Sequence, residues 1–240
     1  MSDEILDNWL ANVRFVAHEM KNPVGAITGF IELAENSGPL TEAQQQFLDR
    51  AKFSTQRLLR LSNVLLEAAR IDSGKPLALT DTDLREVVEH EVKQLEPLAR
   101  QMQVAIHIEF APDLGLSQID DERISHAISN LISNAIKYNK RGGEVWVCVN
   151  GDEDKLHIEV RDNGHGIKPE DQPYIFDRFF RATDGKKVEG TGLGLYIVRE
   201  LVKLHQGEVT FESEVGVGTT FRVTLPRVQS VEQKSLSDEP

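Results

Sequence analysis

Near the N-terminus, apolar residues recur at alternating spacings of four and three: Leu6, Leu10, Val13, Ala17, Met20, Val24, Ile27, Ile31 and Ala34. That spacing is the seam of a coiled coil, with Ala17, Val24 and Ile31 at a positions and Met20 and Ile27 at d. It predicts one helix from about Asp3 to Asn36. Ser37-Gly38-Pro39 stops it, and Thr41 with Gln44 has the spacing of a capping box for the next helix. The second helix repeats the pattern at Phe47, Ala51, Ser54, Leu58, Leu61, Leu65 and Ala68. A parallel stripe of Leu48, Thr55, Leu59, Ser62 and Leu66 broadens its apolar face. Two long helices joined by a short turn make an antiparallel hairpin. One hairpin cannot bury both stripes, whereas two hairpins paired as a four-helix bundle can. Homodimerisation through residues 3–71 is therefore expected.

Asp72-Ser73-Gly74-Lys75-Pro76 breaks the pattern, and residues 72–83 read as a linker or hinge. Beyond it the chain alternates: helix over Asp83–Gln101, strand over Val104–Ile108, a strongly periodic helix over Asp121–Tyr138, and strands near 144–150 and 155–161. A loop of about thirty residues follows, long enough to suggest a functional role. A helix over Thr191–His205 and strands over 207–211 and 219–225 complete the series. Helices set apart from largely hairpin-connected strands predict an α+β architecture. The expected chain is thus an all-α hairpin followed by a two-layer α/β sandwich over residues 84–227, with a polar, disordered tail over 228–240.

Composition narrows the chemistry. A net charge of −12 argues against nucleic acid as the partner. The single cysteine, Cys148, excludes an internal disulfide and any cysteine-based zinc site. It lies in the alternating run Val145-Trp146-Val147-Cys148-Val149 and is expected in the core. No apolar run approaches the ~20 residues of a membrane span, and the acidic N-terminus does not resemble a signal peptide, so a cytoplasmic protein is expected.

Within the first helix, His18 falls off the seam and shares a stripe with Asn22, Gly25 and Gly29. Each of those glycines weakens a helix by roughly 1 kcal/mol, and together they clear ground beside an outward imidazole, as a nucleophile would need. On the helix over 121–138, Asn130 and Asn134 sit one turn apart with Lys137 and Tyr138 on the same face. Ile124, Ile128, Leu131, Ile132, Ala135 and Ile136 form the opposite face. A carboxamide oxygen is a hard ligand suited to Mg²⁺, and a lysine meets a phosphate as a point charge. Asp162-Asn163-Gly164-His165-Gly166-Ile167 ends a strand. Its glycines permit a tight turn and close approach of a flat ligand, and its carboxylate can accept from an exocyclic amine of the kind adenine offers. Gly190-Thr191-Gly192-Leu193-Gly194-Leu195 opens a helix, where Thr191 is placed to cap and backbone N–H groups face an anion. It matches neither a Walker loop nor a dinucleotide fingerprint. Arg178, Arg181, Lys186 and Lys187, interleaved with Phe176, Phe179 and Phe180, suit a lid over a polyphosphate.

In their order these clusters resemble the five boxes of the bacterial two-component sensor histidine kinases, over roughly residues 5–227. The H box is similar to His18-Glu19-Met20-Lys21-Asn22-Pro23, and the N box to Asn130-Leu131-Ile132-Ser133-Asn134-Ala135-Ile136-Lys137-Tyr138. The first glycine box is similar to Asp162–Gly166, the F box to Ile175–Arg181 and the second glycine box to Gly190–Leu195. The resemblance implies a dimerisation and phosphotransfer hairpin plus an ATP-binding domain of the type shared with Hsp90, gyrase B and MutL. It implies that His18 takes the γ-phosphoryl of ATP and passes it to an aspartate of a response-regulator receiver domain. Glu19 would act as base, and Asn22 would orient water for dephosphorylating the phospho-regulator. Asn134 would ligate Mg²⁺, with Asn130 and Lys137 near the phosphates and Tyr138 near the nucleoside. Asp162 would bind the adenine amino group, supported by Thr219, with Gly164, Gly166 and Ile167 in the same loop. Arg181 would reach the phosphates, and Gly190, Thr191, Gly192, Leu193 and Gly194 would form the hinge and phosphate end of the lid. The sequence contains no sensor domain, so the signal is expected from a separate protein or from a domain missing from this chain. An ATP-binding scaffold without turnover, or an ATPase clamp or serine kinase on the same nucleotide fold, are the competing readings.

Overall fold

The computed structural model describes residues 23–52, 54, 55, 58, 62, 76–181 and 191–228, in two compact units that part between Pro76 and Leu77. The first unit contains α1 (residues 23–36) and α2 (from residue 42). Thr41 N–H donates to Gln44 Oε1 at 2.9 Å and Gln44 N–H to Thr41 Oγ1 at 3.3 Å, the reciprocal box that starts α2. Lys52 Nζ meets Glu35 Oε2 at 3.0 Å and ties the two helices together across the turn. On α1 the seam residues Val24 and Ile31 are buried, while Ile27, Phe30 and Leu33 are exposed. On α2 the covered residues are Thr55 and Ser62, and Phe47 and Leu58 are exposed. Thr55 tolerates that position because its hydroxyl donates back to Ala51 O at 3.0 Å.

The second unit runs β1 (Thr80–Asp83), α3 (Leu84–Met102), β2 (Ala105–Phe110), β3 (Leu116–Ile119), α4 (Asp121–Lys137), β4 (Glu144–Gly151) and β5 (Lys155–Asp162). A 3₁₀ turn (Gln172–Tyr174), α5 (Gly194–Leu204), β6 (Glu208–Glu214) and β7 (Gly218–Pro226) complete it. The main sheet has the order β2-β4-β5-β7-β6, and a small second sheet pairs β1 with β3. Alternation sorts the two faces of the main sheet. Val145, Val147, Val149, Leu156, Ile158, Val160, Phe221, Val223 and Leu225 are buried, on the face where α4 contacts β4 and β5 and α5 contacts β6 and β7. Ile124, Ile128, Leu131, Ile132, Ala135 and Ile136 of α4 are buried in the same core, as the helical period predicts. The result is a two-layer α/β sandwich.

Four local expectations are corrected. Residues 80–83, read as the end of a linker, form β1, paired antiparallel with β3 from Thr80↔Ile119 to Asp83↔Leu116. Both strands are four residues long and rich in Thr, Ser and Asp, too short and too polar for periodicity to show. The β2–β4 pair is parallel, because α4 lies between those strands in the chain and returns it to the same end of the sheet. Cys148 belongs to the helix-free face with Trp146, its Sγ directed at Glu109 Oε2 at 3.8 Å. Burial and Glu109 push its thiol pKa up, which keeps it a poor nucleophile.

The fourth correction concerns α5, which begins at Gly194 rather than Thr191. Its other end is held to α4 by His205, which is fully buried. His205 Nε2 accepts from Asp120 N–H at 3.1 Å and Nδ1 donates to Leu201 O at 2.8 Å, so the ring is neutral. Burial holds its pKa below the usual value. Asp120 caps α4 through Arg123 N–H at 3.1 Å and accepts from Ala78 N–H at 2.9 Å.

Candidate functional site

His18, Glu19, Asn22 and Gly190 lie outside the described residues, as do Lys186 and Lys187. The other candidate residues gather at one end of the main sheet. Asp162 is the last residue of β5, opposite Thr219 in the β7 register. Its Oδ1 accepts from Gly164 N–H at 2.8 Å, and Thr219 N–H bonds the same carboxylate. The side chain is 9% exposed, and burial pushes its pKa up to about 6, against those two backbone donors. A carboxylate kept this dry in a polar turn is costly to the fold, and such groups concentrate at functional sites.

The turn after Asp162 is compressed against its neighbours. A Cβ on Gly164 would stand 2.6 Å from Tyr138 O, and His165 N–H donates to that same carbonyl at 3.1 Å. Gly166 has φ +68, and a Cβ there would meet Glu214 O at 2.0 Å, so only glycine fits. Ile167 N–H donates to Ser213 Oγ at 2.8 Å, and that hydroxyl bonds Thr219 Oγ1 at 2.9 Å. Gln172 Nε2 closes the loop on Ile167 O at 3.0 Å and Ser213 O at 3.2 Å. Ser213 and Gln172 were not singled out in the sequence. Ser213 is a lone hydroxyl in an alternating strand, and only the hairpin register reveals its partner.

The carboxamide face of α4 meets the start of α5. A Cβ on Gly194 would lie 3.1 Å from Asn130 Oδ1, and Asn130 Nδ2 donates to His126 O at 3.0 Å. Asn134 and Lys137 continue that face toward Tyr138, the C-cap of α4. Burial raises the Tyr138 phenol pKa while the positive charge of Arg181 opposes the rise. No side chain caps α5. Thr191 Oγ1 instead accepts from Leu193 N–H at 3.2 Å and braces the turn before the helix. The first-turn amides of α5 therefore have no side-chain cap at the positive end of its dipole, an arrangement that suits an anion.

The aromatic segment is anchored to this end of the sheet. Phe176 packs edge-on against Phe211 and Phe221, with centroids 5.9 and 6.4 Å away. Arg178 bonds Tyr196 OH and stacks over its ring at 4.5 Å. Gly192 has φ +71, and a Cβ there would meet Phe179 C at 2.6 Å, so the aromatic segment and the glycine turn before α5 lie against each other.

Residues 11–74 match the family described as His Kinase A (phospho-acceptor) domain, and residues 119–229 match Histidine kinase-, DNA gyrase B-, and HSP90-like ATPase. The chain belongs to the sensor histidine kinases. It is 34% identical over 229 residues to Drug sensory protein A of Synechocystis sp., covering 90% of this chain and 34% of that relative. The chain thus spans about a third of that relative's length. The solved full-length ShkA in complex with AMPPNP superposes with a TM-score of 0.73 at 25% identity, over 92% of this chain and 46% of ShkA. Histidine kinase ThkA in complex with response regulator protein TrrA gives 0.61 at 25% identity, over 88% of this chain and 60% of that one. No helix among the described residues is long and apolar enough to cross a membrane.

Proposed function

We propose that this chain is an ATP-dependent histidine autokinase core that phosphorylates His18 and passes the phosphoryl group to an aspartate of a response-regulator receiver domain. The observation that carries the reading is the convergence of a buried amine acceptor, Asp162, with the Asn130–Asn134–Lys137 face and the uncapped α5. The three suit the base, metal-facing and phosphate ends of one nucleotide. Asp162 accepts from the adenine amine, with Thr219 holding the carboxylate and Gly164, Gly166 and Ile167 shaping the turn beneath the ring. Tyr138 lies beside the nucleoside. Thr191, Gly192, Leu193, Gly194 and Arg181 serve the phosphates, with Gly190 as lid hinge.

The donor chemistry fits Mg²⁺ as well. The Asn134 carboxamide oxygen is a hard neutral ligand, and a nucleotide supplies the remaining oxygens. When bound, the ion neutralises charge on the β- and γ-phosphates. The chain's own part in the reaction is positioning. A ring nitrogen of neutral His18 forms the N–P bond while the bond from the γ-phosphorus to the β–γ bridging oxygen breaks, and ADP leaves. Glu19 takes the proton from the other imidazole nitrogen, so the phosphohistidine is uncharged on the ring. Transfer requires a hinge between the two units, ahead of β1, that brings nucleotide to His18. Asn22 orients a water that hydrolyses the aspartyl phosphate of the regulator, a phosphatase activity that opposes the transfer.

The exposed Ile27, Phe30, Leu33, Phe47 and Leu58 support a homodimer that buries them as a four-helix bundle. Signal input comes from a separate sensor protein or from a sensor domain missing from this chain, and the machinery works in the cytoplasm where its ATP is. The test is incubation with γ-labelled ATP and Mg²⁺. The expected result is a label that is acid-labile, base-stable, chased onto a receiver domain and lost in His18→Gln. An acid-stable phosphoserine, or nucleotide binding with no label at all, would overturn the reading.

A further inference from the structure

Two asparagines beside the Asp162 turn both bond the backbone of one residue, Glu144. Asn139 follows α4, immediately after Tyr138, and is 5% exposed. Its Nδ2 donates to Glu144 O at 3.0 Å, and its Oδ1 accepts from Lys140 N–H at 2.9 Å. Asn163 follows β5, immediately after Asp162. Its Oδ1 accepts from Glu144 N–H at 2.8 Å, and its own N–H donates to Glu144 O at 3.3 Å. The backbone of Glu144, the first residue of β4, is therefore gripped from the α4 side by Asn139 and from the β5 side by Asn163.

The grip is tight enough to dictate its neighbour. A Cβ on Gly143 would stand 2.0 Å from Asn139 Oδ1 and 2.9 Å from Asn163 Oδ1. Asn139 cannot swing away from such a Cβ without giving up bonds at both ends of its carboxamide. The φ of Gly143 is one that any residue adopts, so the glycine is there for space alone. On the far side of the clamp, the Tyr138 carbonyl receives His165 N–H at 3.1 Å and leaves no room for a Cβ on Gly164.

We propose that Asn139 and Asn163, acting through the backbone N–H and C=O of Glu144, are positioning residues that set the distance between Asp162 and Tyr138 and thereby the preference for adenine over guanine. The inference rests on the reading of Asp162 as the base acceptor. Adenine presents an amine at its six-position and guanine presents a carbonyl oxygen there. A carboxylate held at that edge accepts from the first and repels the second, so a site built for the amine rejects the other base strongly. If the clamp is released, the Asp162 turn loses its tie through Glu144 and is left on the His165 N–H bond to Tyr138 O, so the spacing of Asp162 from the end of α4 relaxes. ATP then loses its acceptor and GTP loses its repulsion, while the phosphate-facing groups of α4 and α5 are untouched.

The test is displacement of a fluorescent ATP analogue from the full chain by ATP and by GTP, with Mg²⁺ at pH 8, alongside thermal melts. Asn139→Ala, Asn139→Asp, Asn163→Ala and Gly143→Ala are expected to lower the ATP/GTP affinity ratio roughly tenfold, the worth of one well-made hydrogen bond to a charged group. Asn163→Asp keeps the only side-chain role Asn163 has, an acceptor, and is expected to retain the ratio. Gly143→Ala should cost less in an Asn139→Ala background than in the wild type, because the nearer obstruction is gone. A purely structural role would lower the melting temperature and weaken both nucleotides alike, leaving the ratio intact. A wild type that prefers ATP together with variants that keep the ratio within twofold overturns the clamp alone. A wild type indifferent to the base overturns the reading of Asp162 and the clamp with it. Should Asn139→Ala not fold, Asn163→Ala and Gly143→Ala decide the same ratio.

Discussion

Asp162 is a residue whose function and stability pull in opposite directions. Its pKa in the folded chain is pushed from 3.8 up to about 6. Between those values the folded state holds a proton that the unfolded chain releases, so folding stability falls as pH rises through that window. Above about pH 6 the full cost of a dry carboxylate is in force. Asp162→Asn keeps an oxygen to accept from Gly164 N–H and removes the charge. Thermal melts of the nucleotide-free variant should therefore show a gain on the order of 1–3 kcal/mol at pH 7.5. The gain should vanish toward pH 4, and ATP binding should be lost at every pH. In the wild type, ATP affinity measured by titration should weaken as pH drops through about 6, where the acceptor becomes protonated. His18 was placed off the seam by helical phase, which needs no tertiary contact, whereas the roles of Glu19 and Asn22 came from the resemblance to the H box.

At the scale of elements, α4 and α5 lie against each other, and both ends of α5 meet α4. One contact is Asn130 against Gly194, and the other is His205 against Asp120. His205→Ala would leave the Asp120 N–H without its acceptor and open a cavity at a fully buried site. Urea unfolding should show a loss of about 2–4 kcal/mol. Because burial depresses the His205 pKa below 6.5, the unfolded chain binds the proton first on acidification. Its contribution is complete above 6.5 and declines as pH falls below it. That slope should disappear in His205→Ala. The long periodic helices and most strands were legible from spacing, because each buries one face on a regular period. β1 and β3 were not, since four polar residues become a strand only by finding each other. The start of α5 was misread by three residues because a threonine before a glycine turn looks like a cap, whereas Thr191 bonds the turn itself.

For the molecule as a whole, the apolar residues left outward on the hairpin are the next consideration. Phe30 is 69% exposed and Phe47 68%, a large apolar presentation for a lone hairpin. Phe30→Glu with Phe47→Glu should convert the chain from dimer to monomer in light scattering. Nucleotide affinity should stay within about twofold, because the ATP-binding unit has its own core. Autophosphorylation should fall at least tenfold if the bundle is what presents His18. A variant that remains dimeric would place the interface elsewhere.

The amino-acid sequence by itself determined the two-part architecture, the periodic helices, the order of the glycine and asparagine clusters and the residue types the chemistry needs. These are properties of spacing and composition along one dimension. The tertiary structure decided that Cys148 faces away from the helices, that β2 and β4 run parallel, and that Asn163, Ser213 and His205 find distant partners. Those outcomes depend on which backbone groups are left unsatisfied once the sheet has formed. A residue that exists to satisfy one has no periodic signature of its own.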